Sequence, residues 1–229
     1  MKRAIILGSG LDILSGESPI KSIPYTEIPE WPLGKVKGHK GVLDKYKNIW
    51  VLRGRAHLYE GFTWEQACFP TQYLINQGIE ELILTNAAGG IDPNYEIGDL
   101  MQITGYLNFM KPDKSRKLSR ILQKPISYTT ELIKNTHDDI RLHRGNYVGV
   151  HGPNYETHSE IALFKSMGAS AVGMSTIPEI ETAVKSNIKV TAISIITNVY
   201  GKTVDLGHEG VVQAAKSASK KLARLLCLN

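Results

Sequence analysis

Short apolar runs that end in small or polar residues recur along the chain. Residues 4–7 run into Gly8-Ser9-Gly10, and residues 81–84 into Thr85-Asn86-Ala87-Ala88-Gly89-Gly90. Residues 171–173 lead to Met174-Ser175-Thr176, and residues 190–196 to Thr197-Asn198. Continuous apolar runs, as opposed to alternating ones, predict strands buried on both faces, the signature of an α/β sheet. In such sheets ligands gather at strand C-terminal ends, where these small-residue loops fall. Residues 51–59 follow a different rule. As an extended strand they put Arg53, Arg55, His57 and Tyr59 on one face and Leu52, Gly54, Ala56 and Leu58 on the other.

Helix starts are legible from spacing. Thr63-x-x-Gln66, Thr157-x-x-Glu160 and Thr176-x-x-Glu179 each fit a capping box. The first helix runs to about Gly78 with Pro70 inside it, which predicts a kink or an interrupted first half. The second ends near Gly168 and the third near Asn187. A last helix is expected over 209–227, with Val211, Val212, Ala215, Ala218, Leu222, Leu225 and Leu226 mainly on one stripe. Residues 12–38 contain four prolines and little periodicity, which predicts an irregular loop. Residues 105–130 carry no clear period, and no repeat or linker divides the chain.

Composition narrows the class. A chain of 229 residues can bury a substantial core. Its net charge of +5 comes from scattered Lys and Arg, which argues against a nucleic-acid partner. Cys68 and Cys227, the only cysteines, are far apart and outside any CxxC pair, as expected in a reduced compartment. The apolar run after Met1-Lys2-Arg3 is too short for a signal sequence, and no run approaches the ~20 residues of a membrane helix. A cytoplasmic protein with no membrane partner is the expectation. No metal site is expected either. HExxH is absent, His57-x-x-Glu60 on a strand would split across its faces, and His137, His143, His151 and His158 lack ligand spacing.

Each remaining motif has a chemical and a plain reading. Two guanidiniums, an imidazole and a phenol in a row suit a multiply charged oxyanion, or they form a solvated face. Gly8-Ser9-Gly10 presents N–H groups and a hydroxyl to an anion, or makes a turn; it is neither a Walker loop nor a dinucleotide fingerprint. Ser175 and Glu156 each precede a helix start. There Ser175 is placed for an anion, while the helix dipole favours ionised Glu156, beside the flat ring of Tyr155. Such a pair suits a planar heterocycle with N–H donors, or simply complements a helix. Asn198 offers both a donor and an acceptor at a strand end, or forms a turn.

Taken in order, the motifs resemble one family. Gly8-Ser9-Gly10-Leu11, Gly38-His39-Lys40-Gly41, Gly54-Arg55-Ala56-His57-Leu58-Tyr59-Glu60-Gly61, residues 85–90, Gly152-Pro153-Asn154-Tyr155-Glu156-Thr157, residues 172–179 and Thr197-Asn198 are similar to stretches of the trimeric purine nucleoside phosphorylases. The resemblance implies one α/β domain over residues 1–229, with a central mixed, twisted sheet flanked by helices. It implies reversible phosphorolysis of 6-oxopurine nucleosides, with inorganic phosphate as co-substrate, no cofactor, and a homotrimer as the assembly. By the same resemblance Ser9, Arg55, His57, the Ala87 backbone and Ser175 bind phosphate. Tyr59, Met174 and His208 contact ribose. Tyr155 packs on the base, and Glu156 and Asn198 hydrogen-bond it. His57, Glu156 and Asn198 are the residues expected to carry catalysis. A methylthioadenosine phosphorylase, or a catalytically weak nucleoside-binding homologue, are the competing readings. The chain departs from the family in starting at the first strand and in Asp12, where the family has glycine. Its segment from about Tyr106 to Tyr128 and its loop between Asn198 and His208 are also shorter.

Overall fold

A computed structural model of the chain describes residues 2–8, 10–14, 18–36, 38–111, 124–131, 133–134, 137–202 and 207–226. Among these, ten strands and four α-helices form one α/β unit built on a single mixed sheet. Strand β1 (Arg3–Leu7) lies at its centre, parallel to both β4 (Ile49–Arg53) and β5 (Glu81–Gly90). Its Ala4 and Ile6 enter one apolar cluster, and Ile5 and Leu7 another. That alternation explains the unbroken apolar run: both faces are covered. Helices α1 (Trp64–Asn76) and α3 (Ile177–Lys185) pack on the first face, through Ala67, Leu74, Ile177 and Ile180. Helix α4 (Gly207–Leu225) covers the other through Ala215, Ala218 and Leu222.

One end of the sheet closes on itself. Strand β5 pairs with β10 (Lys189–Val199), β10 with β6 (Leu100–Asn108), and β6 with β8 (Leu142–Gly149). Strand β8 pairs with β9 (Ala171–Gly173), and β9 returns to β5 through Gly89↔Val172 and Gly90↔Ala171. The short β7 (Ile126–Ser127) adds to β6, and α2 (His158–Ser166) packs Ile161 and Phe164 against the ring from outside. At the other end β4 continues through β3 (Val42–Lys45) to β2 (Lys21–Pro24), a short edge carrying Lys21 and Pro24.

Several expectations are corrected. Residues 85–90 are not a loop; they continue β5, and Thr197-Asn198 likewise lie within β10. Their small side chains leave room for flanking strands on both sides. The helix from Thr63 runs without interruption through Pro70. Residues 21–24 in the presumed irregular loop form β2. The row at 51–59 is not one strand: β4 stops at Arg53, because Gly54 takes φ +132° where a Cβ would lie 2.8 Å from His39 Cβ. A 3-10 turn, Leu58–Glu60, follows, and the Glu60 carboxylate accepts from the His57 backbone N–H at 3.0 Å. The Thr63 and Thr157 boxes are present, with Thr63 accepting from Gln66 N at 3.2 Å and Thr157 from Glu160 N at 3.3 Å. Thr176 makes no cap bond and sits at φ 79°.

Candidate active site

The parallel strands β1, β4, β5 and β10 end on the same side, and a cleft of about 740 Å³, including solvent at its mouth, opens there. Arg55, His57, Tyr59, Ala87, Tyr155, Glu156, Met174, Ser175 and Asn198 all line it. Ser9 and the side chain of His208 lie outside the described residues. Arg53, expected to share the face of Arg55, does not reach the cleft. It turns the opposite way to Asp12 at 2.9 Å and the Tyr46 hydroxyl at 3.0 Å, and also binds Asp44. The break at Gly54 separates these two arginines. Asp12 is thereby a partner of Arg53. Burial pushes its carboxyl up, but the Arg53 hydrogen bond and charge hold it below the usual range.

Arg55 is held on two sides. Its Nε–H donates to Glu179 Oε1 at 2.9 Å and its Nη1–H to the Thr85 carbonyl at 3.0 Å. Both side chains of the ion pair are buried, at 4% and 5% exposure. Arg55 Nη2 is buried with no hydrogen-bond partner among the described residues. A buried charged donor left unpaired is costly, so it calls for an acceptor such as a ligand oxygen.

His57 stacks between Tyr59, ring centroids 4.8 Å apart, and His39, 5.4 Å apart. Its Nδ1 faces Glu60 Oε2 at 3.2 Å. Burial drives Glu60 up, but hydrogen bonds from His57 and from the backbone N–H of Lys35 more than offset it and hold the carboxyl at about 2. Burial pushes His57 down, against the pull of Glu60, and burial with the neighbouring positive groups pushes His39 down to about 3. Burial also raises Tyr59 to about 12. Both imidazoles are therefore neutral near pH 7.

Ser175 stands between β9 and α3. The Tyr147 hydroxyl clamps its backbone, donating to Ser175 O at 3.1 Å and accepting from Ser175 N at 3.3 Å. Only glycine fits at 173, where a Cβ would come within 2.5 Å of that hydroxyl. Across the cleft, Asn198 pairs with Gly89 in the β5–β10 register, and the Thr197 hydroxyl donates to Asn198 Oδ1 at 3.2 Å. The same hydroxyl also lies 3.4 Å from the Ala88 carbonyl, and the Asn198 amide N–H groups serve only as donors. Glu156 is half-buried, and burial raises its carboxyl above its ordinary value. Tyr155 is 55% exposed at the mouth.

Strand β5 sets the scale. Arg55 meets it at Thr85 and Asn198 meets it at Gly89, so at roughly 3.3 Å per residue the two contacts are about 13 Å apart. Sequence reasoning did not find Glu179, Thr85, Tyr147 or Thr197 as supports of the site. Glu179 was legible only as the fourth residue of a capping box, a pattern satisfied by spacing without the bond.

A buried guanidinium with an unpaired donor, and an amide and a half-buried carboxylate further along the same cleft, define the geometry of the site. A family model of the phosphorylase superfamily matches residues 2–228. The chain is 36% identical over 245 residues to purine nucleoside phosphorylase 1 of Bacillus subtilis (strain 168), covering 98% of this chain and 90% of that protein. It is 34% identical over 250 residues to the purine nucleoside phosphorylase of Bos taurus, covering 98% and 86%. Its fold matches a crystal structure of schistosoma purine nucleoside phosphorylase in complex with hypoxanthine, with a TM-score of 0.77, 26% identity and coverage of 98% and 88%. The Schistosoma mansoni enzyme in complex with inosine gives a TM-score of 0.76 at 25% identity. The chain belongs to the phosphorylase superfamily, among its purine nucleoside phosphorylases. No helix among the described residues is long and apolar enough to cross a membrane.

Proposed function

We propose that this enzyme catalyses reversible phosphorolysis of 6-oxopurine ribonucleosides and deoxyribonucleosides, such as inosine and guanosine, in purine salvage. The products are the free base and (deoxy)ribose 1-phosphate. One observation carries the reading: the buried Arg55 with its unpaired Nη2 and the Glu156–Asn198 pair line the same cleft. Arg55, His57, Ser175 and the Ala87 backbone, with Ser9, bind phosphate. Tyr59, Met174 and His208 position the ribose, and Tyr155 covers the base. Glu156 accepts from purine N1–H, and that bond offsets the burial of its carboxylate. Asn198 donates to O6 and hydrogen-bonds N7.

The chemistry follows from where charge moves. The glycosidic bond breaks as the base leaves with the electron pair and the sugar becomes oxocarbenium-like. Hydrogen bonds from Asn198 tighten as negative charge builds on the purine, so they stabilise the transition state more than the ground state. Phosphate, oriented by Arg55 and Ser175, attacks the anomeric carbon and its charge steadies the cationic sugar. The reaction calls on no metal or organic cofactor; phosphate is the second substrate. The family resemblance supports a homotrimer acting on small molecules; the two separated cysteines support a cytoplasmic enzyme, and the scattered charge argues against a nucleic-acid partner.

Hypoxanthine release from inosine, with and without phosphate, tests the reading. Turnover strictly dependent on phosphate is expected. Turnover indifferent to phosphate would make the enzyme a hydrolase. Preference for adenosine or methylthioadenosine over inosine would move the substrate to 6-aminopurines, which offer Glu156 no N1–H.

A further inference from the structure

Thr176 occupies a backbone conformation that a β-branched residue avoids, with φ 79° and ψ −37°, and it is fully buried. It starts α3 without capping it. Its hydroxyl is turned elsewhere. Asn86 Nδ2–H donates to Thr176 Oγ1 at 2.9 Å, and Thr176 Oγ1 lies 3.1 Å from Ser175 Oγ. An amide N–H can only donate, so Thr176 Oγ1 accepts from Asn86, and either hydroxyl can supply the proton between Thr176 and Ser175. With Thr176 as the donor, Ser175 Oγ accepts and keeps its own proton for a group in the cleft.

We propose that Thr176 is a positioning residue: the chain Asn86→Thr176→Ser175 fixes the Ser175 hydroxyl as a donor toward the phosphate oxygen. This rests on the functional reading given above. The Tyr147 clamp already holds the Ser175 backbone, so what Thr176 adds is the direction of one proton. A freely rotating serine hydroxyl loses rotational freedom when it aims its proton at an anion; a directed chain holds that orientation beforehand and polarises the terminal O–H. The unfavourable φ at Thr176 is what aims its hydroxyl back along the chain at Ser175 instead of forward at the helix N–H groups.

The test compares T176S, which keeps the hydroxyl, with T176V, which keeps the shape and loses it. Phosphate KM is measured in inosine phosphorolysis, with inosine KM and Tm alongside. T176V is expected to raise phosphate KM about tenfold, with inosine KM changed less than about twofold, and T176S to stay near wild type. In an S175A background T176V should add no further rise, because its effect passes through that hydroxyl. Should T176V not fold, T176A carries the same comparison. An unchanged phosphate KM in the hydroxyl-free variant, equal impairment in T176S, or a full additional rise in the S175A background would each overturn the proposal. Wild-type protein that splits inosine without phosphate would instead overturn the functional reading.

Discussion

Removing the carboxylate of Glu179 should destabilise the protein and disable phosphate use together. The Arg55–Glu179 pair is 2.9 Å long, with both side chains at or below 5% exposure. In E179A the guanidinium stays buried, and the Thr85 carbonyl becomes its one remaining hydrogen-bond acceptor among the described residues. Breaking a buried pair by removing one partner costs about 3–5 kcal/mol. For a chain of this size each kcal/mol lowers Tm by about 2–4 °C, so E179A should melt about 6–20 °C below wild type. E179Q keeps an acceptor for Nε–H and should lose less. The double variant R55M/E179M removes both charges at similar volume and should recover most of the stability, while phosphate-dependent turnover stays lost. Thermal melts with parallel inosine assays read both quantities. E179A melting within about 2 °C of wild type, or R55M/E179M as unstable as E179A, would refute the claim that Glu179 compensates a buried Arg55.

Other outcomes follow from the same geometry. Asn198→Ala should lower kcat for inosine by about 10²–10³ while leaving phosphate KM nearly unchanged, since a transition-state donor is lost; equal effects on both would remove its purine role. Burial lowers His57, and Glu60 holds its Nδ1–H, so an anion in the cleft should draw a proton onto the imidazole. Sulfate, a dianion that does not titrate here, should therefore bind more tightly as pH falls from 8 toward the lowered His57 value. Calorimetry in buffers of different ionisation enthalpy should show proton uptake, and none at any pH in this range would contradict it. Gly173→Ala places a Cβ 2.5 Å from the Tyr147 hydroxyl and should cost about 1–3 kcal/mol while raising phosphate KM; a variant with wild-type Tm and KM would show the Tyr147 clamp to be dispensable.

What the sequence reveals here depends on the range of the interaction that decides it. Strand β9 and the starts of α1 and α2 are set by local patterns, and they appear where spacing and capping chemistry put them. The Thr176 box fails for a non-local reason: Glu179 is taken by Arg55 and the Thr176 hydroxyl by Asn86 and Ser175. The alternating row at 51–59 fails at one backbone angle, that of Gly54, which sends Arg53 to a structural cluster and Arg55 to the cleft. Strands β6 and β8 do not stand out in the sequence because Gln102, Gly105, Arg144, Gly145 and Asn146 interrupt their apolar runs, and pairing with distant strands sets their place. The composition of the cleft was readable through the family resemblance, since the seven motifs keep their order. The supports beneath it were not, because Tyr147 and Glu179 look like ordinary core and helix residues until the contacts are seen.

Closure of the ring has a mechanical consequence for substrate choice. Asn198 and Ser175 are carried by or follow directly on segments that are both hydrogen-bonded to β5, the strand whose Thr85 carbonyl also fixes Arg55. The span between the anchor of Arg55 and Asn198 is therefore a backbone length, which side-chain repacking alone cannot stretch. With phosphate and base at its two ends, as proposed, a nucleoside that is too long or too short should be rejected by a gauge the enzyme cannot adjust, and adaptation to other substrates should fall to the parts that hang over it, the Tyr155–Glu156 arm first.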